Sequence, residues 1–237
     1  MMCRFRPIVL VVAVLVTLAG SGPAPARGAE FYYVLIFGSQ SQPKRLKYSH
    51  TWATFIKADG DGLDPDAYSL TAHTISWLPR TLDVRVWSPV PEEGVNLSLD
   101  DTIRFVMGQD QQIRLWGPFI VTRELYERSL RVYSILENGQ ARYRAISGQY
   151  DLLISDCIHA VAAVDPELGR DHYPLIRVGI PASRHIARQI VMRSIYDQTQ
   201  SDHSWLIPRL GLDRYPMTVV PPRSIDASPC FLCIHPE

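Results

Sequence analysis

The sequence predicts an α+β domain, an antiparallel sheet with helices packed across it. Three observations carry that expectation. Consecutive segments in the first third alternate with a period of two and are separated by turn-forming residues. Two later segments have apolar residues at helical spacing between recognisable caps. After a leader is set aside, about 208 of the 237 residues remain, enough for one sizeable core.

Residues 1–29 read as a cleavable signal peptide. Arg4 and Arg6 precede an apolar run from Pro7 to Gly20, and Ala24 and Ala26 have the small-residue spacing of a cleavage site. The run is shorter than the roughly 20 residues that span a bilayer. Its loss removes Arg4, Arg6 and Arg27, so 24 basic and 24 acidic residues become 21 and 24. A net charge near −3 without a basic cluster argues against nucleic acid as a partner. Residues 30–237 are expected to form one exported domain ending in an irregular, proline-rich segment.

Within it, Glu30–Ser39 is aromatic and β-branched, a first strand. Tyr48–Ala58 is a second, with His50, Trp52, Thr54 and Ile56 on one face and Thr51, Ala53 and Phe55 on the other. Asp59-Gly-Asp-Gly62 lacks the later glutamate of a calcium loop and reads as a turn. Tyr68–Leu78 is the next strand, ended by Pro79, and Leu82–Trp87 is a further alternating segment. Ser98 caps a helix to about Met107, and Ile113–Val121 is extended. Thr122 and Asn138-Gly139 bracket a helix over Arg123–Glu137, with Tyr126, Leu130 and Tyr133 as its stripe. Ser155 or Asp156 caps a helix whose stripe is Ile158, Val161 and Ala162, stopped at Asp165-Pro166. A last helix is expected from Ser183 to about Gln198.

The candidate chemistry centres on Cys157, in the first turn of a helix where free N–H groups and the dipole favour a thiolate. A nucleophilic cysteine needs a base, and the base needs an orienting group. His50 and His73 lie on consecutive strands and could come together on one sheet. A buried cysteine is also an ordinary small hydrophobe, and a strand histidine an ordinary core residue.

Tyr48-Ser-His-Thr-Trp-Ala53, then Ala72-His-Thr74, then Asp156-Cys-Ile-His-Ala-Val161 resembles, in order, the circularly permuted papain-like hydrolases. These are relatives of NlpC-type peptidases that include lecithin:retinol acyltransferase-like proteins. The resemblance covers about Phe31 to Val164. It implies Cys157 as nucleophile, His50 as general base and acid, His73 as the group orienting His50, and the Cys157 N–H as oxyanion donor. The tryptophan stands two residues after His50 rather than one, and Asp156 replaces the family's usual amide. His159 matches the motif histidine but reads as structural.

The expected activity is a cysteine hydrolase or acyl transferase acting on an amide, ester or thioester, without a cofactor. Cell-wall peptide or a lipid-like acyl group is the implied substrate. Trp52 and Trp77 are the candidate substrate-binding residues, although burial explains them equally well. The alternative is a non-catalytic exported binding module with the same fold. Cys230-x-x-Cys233 with His235 lacks a fourth ligand, so no metal site is expected. Asn96-Leu-Ser98 is a glycosylation sequon, meaningful only in a eukaryotic secretory pathway.

Overall fold

The computed structural model describes residues 28–60, 64–146, 152–170, 177–200 and 202–225. The proposed leader up to residue 27 and the Cys230/Cys233 segment lie outside them. The described residues form a mixed α+β structure dominated by antiparallel pairing.

Its frame is a five-stranded sheet in the order β3-β2-β1-β6-β9. The strands are β1 (Ala29–Gln40), β2 (Ser49–Gly60), β3 (Ser69–Ile75), β6 (Gln112–Ile120) and β9 (Met217–Val220). Pairing is antiparallel except between β6 and β9. A smaller sheet joins β4 (Trp77–Pro79), β5 (Glu92–Asn96), β7 (Arg142–Tyr143) and β8 (Ile154–Ser155).

β1 is apolar on both faces because both are covered. Tyr33, Leu35 and Phe37 pack with Trp52 and Ile56 against α1 (Leu99–Met107) and α5 (Leu206–Arg209). Tyr32, Val34 and Ile36 pack with Ala53, Phe55 and Ile75 against three helices on the other side. Those are α2 (Arg123–Glu137), α3 (Cys157–Ala162) and α4 (Ile180–Arg193). We call the first the α1 face and the second the α3 face.

Local chemistry explains where the elements begin. Ser98 accepts a hydrogen bond from the Asp101 N–H at the start of α1, and Thr122 accepts one from the Leu125 N–H at the start of α2. The buried stripe of α2 is Tyr126, Ser129, Val132 and Leu136, rotated from the expected one, so Leu130 is exposed. The rotation brings Ser129 under His73.

The expected Tyr68–Leu78 strand divides at Ser76, whose N–H and C=O leave the ladder for Asn96 Oδ1 and the Leu97 N–H. Leu82–Trp87 alternates in sequence but forms no strand. Leu82 has φ of 57° and its N–H turns back to the Pro79 carbonyl, so the segment finds no partner ladder. The helix expected from Ser183 begins three residues earlier, at Ile180, and ends at Arg193, and the short α5 follows it. The start of α4 is pressed onto the sheet: a Cβ on Gly38 would lie 2.6 Å from Ser183 Oγ, and one on Gly179 (φ 69°) 2.6 Å from the Ser39 carbonyl.

Candidate functional site

Asp156 builds the start of α3. Its Oδ1 accepts from the backbone N–H groups of Ile158 and His159 at 2.8 and 2.9 Å, and its Oδ2 lies 2.7 Å from His159 Nδ1. The carboxylate thereby uses both oxygens on the first turn and supports the reading of His159 as structural. Cys157 follows, 8% exposed, within the α3-face core.

The thiol sits where backbone N–H groups of Thr51, Cys157 and Ile158 converge on it. Those donors favour a thiolate, as expected at a helix start. Burial opposes them and wins, with the Asp156 carboxylate adding to it, so the pKa is pushed up to about 12. Cys157 is therefore a protonated thiol at neutral pH.

The neighbour across the sulfur is Thr51. Its side chain belongs to the α3 face, where Ser183 Oγ donates to the Phe37 carbonyl at 2.8 Å and lies 2.9 Å from Thr51 Oγ1. His50 is one residue earlier on the same strand, so its side chain leaves on the opposite side. It is 1% exposed and stacks on Trp52 with centroids 5.4 Å apart. Its Nε2 lies 2.9 Å from Ser76 Oγ, itself 2.8 Å from Thr102 Oγ1 of α1. Burial lowers its pKa to about 3, so the ring is neutral.

His73 lies on the α3 face, opposite Phe55 in the ladder. It stacks on Phe55 at 5.5 Å and meets the rings of Tyr126 and Tyr133 at 5.2 and 5.3 Å. Ser129 Oγ donates to the Tyr126 carbonyl, which leaves its lone pairs to accept from His73 Nε2 at 2.9 Å. Burial lowers the His73 pKa to about 4. Phe55 is four residues along β2 from Thr51, about 13 Å at the rise of a strand. The structure thus brings none of the three together: Cys157 and His73 share a face at different heights, and the sheet separates both from His50.

Trp52 and Trp77 are fully buried. Trp52 stacks on Phe37 at 5.1 Å, and Trp77 fills the space a Cβ on Gly94 would need. Both are core residues. Among the described residues no cluster of histidine, cysteine and carboxylates could hold a metal ion. No helix among them is long and apolar enough to cross a membrane.

The feature that sequence reading passed over is a cavity of about 350 Å³ at the outer edge of β3, between Ala72–Thr74, Asn96–Leu99 and the Tyr133 and Glu137 side chains of α2. Asn96 shapes its upper end. Its Nδ2 donates to the Thr74 carbonyl at 2.8 Å and to Glu137 Oε1 at 3.0 Å, while its Oδ1 accepts from the Ser76 N–H at 2.7 Å. Both amide hydrogens are committed, so the sequon asparagine acts as a structural bracket. A polar asparagine two residues before a helix cap was the only sequence signal for it.

Comparisons with family models, curated proteins and solved structures find no match for this chain.

Proposed function

We propose that the chain is a non-catalytic binding module, exported by its N-terminal segment. One observation carries the reading: the Cys157 thiol faces the Thr51 backbone, while His50 lies on the other side of the sheet. Acyl transfer through a thiolate needs a base within hydrogen-bond reach of the sulfur. The position that faces the sulfur is occupied by threonine, which supplies no base near neutral pH. The order of elements still resembles the permuted papain-like hydrolases, and a cysteine hydrolase is the reading to be displaced. On our reading, the scaffold persists and the histidine is out of phase by one residue. A peptide of the exterior is the partner class that fits best, for the reasons given in the next subsection.

The test is the alkylation rate of Cys157 against pH, with Cys230 and Cys233 changed to serine. Slow alkylation that rises only above about pH 9 is expected from a buried thiol with a raised pKa. A reactivity plateau already reached at neutral pH would restore the hydrolase.

A further inference from the structure

The two edges of the main sheet are treated differently. At one edge β9 is short, with Pro216 before it and Pro221-Pro222 after it. Prolines cannot extend a ladder, so that edge is guarded. At the other edge β3 reads Ser-Leu-Thr-Ala-His-Thr-Ile, without proline, charge or bulge.

The ladder shows which backbone groups this edge offers. Thr54 and Thr74 are opposite each other with hydroxyls 2.9 Å apart, the close approach of a non-hydrogen-bonded pair. Thr74 therefore turns its N–H and C=O away from β2, as its carbonyl bond to Asn96 confirms. By the two-residue period Ala72 and Leu70 turn theirs outward as well. β5 runs along this same side of β4 and stops at Asn96. Below Asn96 its line continues as the open cavity.

We propose that this edge binds an extended peptide by strand addition, its backbone pairing with Leu70, Ala72 and the N–H of Thr74 and a basic side chain meeting Glu137. Main-chain pairing supplies affinity in such complexes and alternate side-chain sites supply selectivity. Glu137 is exposed and, among the described residues, is the one ionised side chain lining the cavity, with no lysine or arginine beside it. His73 beside it is neutral at pH 7. The proposal deepens the non-catalytic reading by giving the module its site and ligand class.

The probe is the blocked peptide acetyl-Thr-Val-Thr-Lys-Thr-Val-Thr-amide, followed by amide NMR of the full exported domain. Shifts concentrated at Leu70, Ala72 and Thr74 are expected. N-methylation of alternate probe amides should weaken binding about tenfold or more, because two backbone bonds are lost. Ala72→Pro should do the same without unfolding the domain, since that N–H points outward and the residue is exposed. Glu137→Gln should weaken the lysine probe about threefold and leave its norleucine counterpart unchanged. Equal binding of N-methylated and plain probes would overturn the proposal, as would absent shifts or a β3-mediated dimer of the chain itself. The N-methylated probe keeps the test decisive if Ala72→Pro fails to fold. The thiol assay is read separately: a reactive Cys157 with intact β3 shifts removes the non-catalytic reading and leaves the peptide site standing. An inert thiol without β3 shifts does the reverse.

Discussion

The α1 face and the α3 face of the sheet are built from the same strands, one residue out of phase. On β2 the even positions His50, Trp52 and Ile56 go to α1, and the odd positions Thr51, Ala53 and Phe55 go to the helices that carry Cys157. The polar groups differ accordingly. Beneath α1, His50, Ser76 and Thr102 form a buried hydrogen-bonded line. Beneath α3, Thr51 and Ser183 lock α4 to the strand beside a buried thiol. Cys157 and His50 therefore lie on opposite faces of one sheet. On a strand, parity decides chemistry more sharply than distance along the chain.

The largest way to test the assignment of faces is Trp52→Ala. Trp52 is fully buried between Phe37 and His50, so its truncation should cost about 3–5 kcal/mol by urea unfolding. A near-neutral effect on stability with lost ligand binding would instead make Trp52 part of a groove and break the comparison.

Next comes the cap beneath the α3 face. Asp156→Ala removes the acceptor of two backbone N–H groups and of His159 Nδ1, and should cost about 2 kcal/mol. Asp156→Asn keeps an oxygen for the cap and removes the charge that helps hold the thiol pKa high. It should cost less, and alkylation of Cys157 at pH 9 should accelerate relative to wild type. Unchanged alkylation in Asp156→Asn would show that burial alone holds the proton.

Much of this was legible in the sequence and some of it was not, for identifiable reasons. The caps Ser98 and Thr122 were readable because a hydroxyl before an amphipathic run satisfies a helix's free N–H groups locally. The two faces of β2 were readable from alternation alone, and that alternation already put His50 with Trp52 rather than with Thr51. What alternation could not say is which face α3 would choose, because that depends on contacts more than a hundred residues away. The segment 82–87 misled for a related reason: period two marks a chain able to pair, and Leu82 with positive φ turns it away from any partner. Asn96 and the β3 edge stayed hidden because a side chain that imitates a strand carries no periodic signature.

Acid probes the histidine on each face. His50 has its pKa lowered from 6.5 to about 3 by burial, and His73 to about 4. The folded state binds fewer protons than the unfolded one below pH 6.5, so this stability is complete above 6.5 and is lost as pH falls toward those values. For His50 the slope in that window is about 1.4 kcal/mol per pH unit. Comparing wild type with His50→Asn isolates it: the variant's urea midpoint should fall less steeply between pH 6.5 and 4.5. His73→Asn should lose a similar share of the slope, because both rings stay neutral in the folded state across this window. A slope as steep as wild type in both variants would mean that burial does not hold either ring neutral.

The smallest expected effect is at Trp87, the counterpart of Trp52 in residue type and its opposite in setting. It is 73% exposed, on the Leu82–Val90 stretch where no ladder forms, while Trp52 is fully buried. An exposed indole that covers little apolar surface contributes little to folding, so Trp87→Ala should change stability by no more than about 0.5 kcal/mol. Its fluorescence should be quenched by acrylamide in the native protein, and the buried indoles Trp52, Trp77 and Trp116 should be protected. A loss of stability approaching that of Trp52→Ala would mean that the segment packs against the domain in solution. It would also mean that the alternation of 82–87 reports a buried face after all.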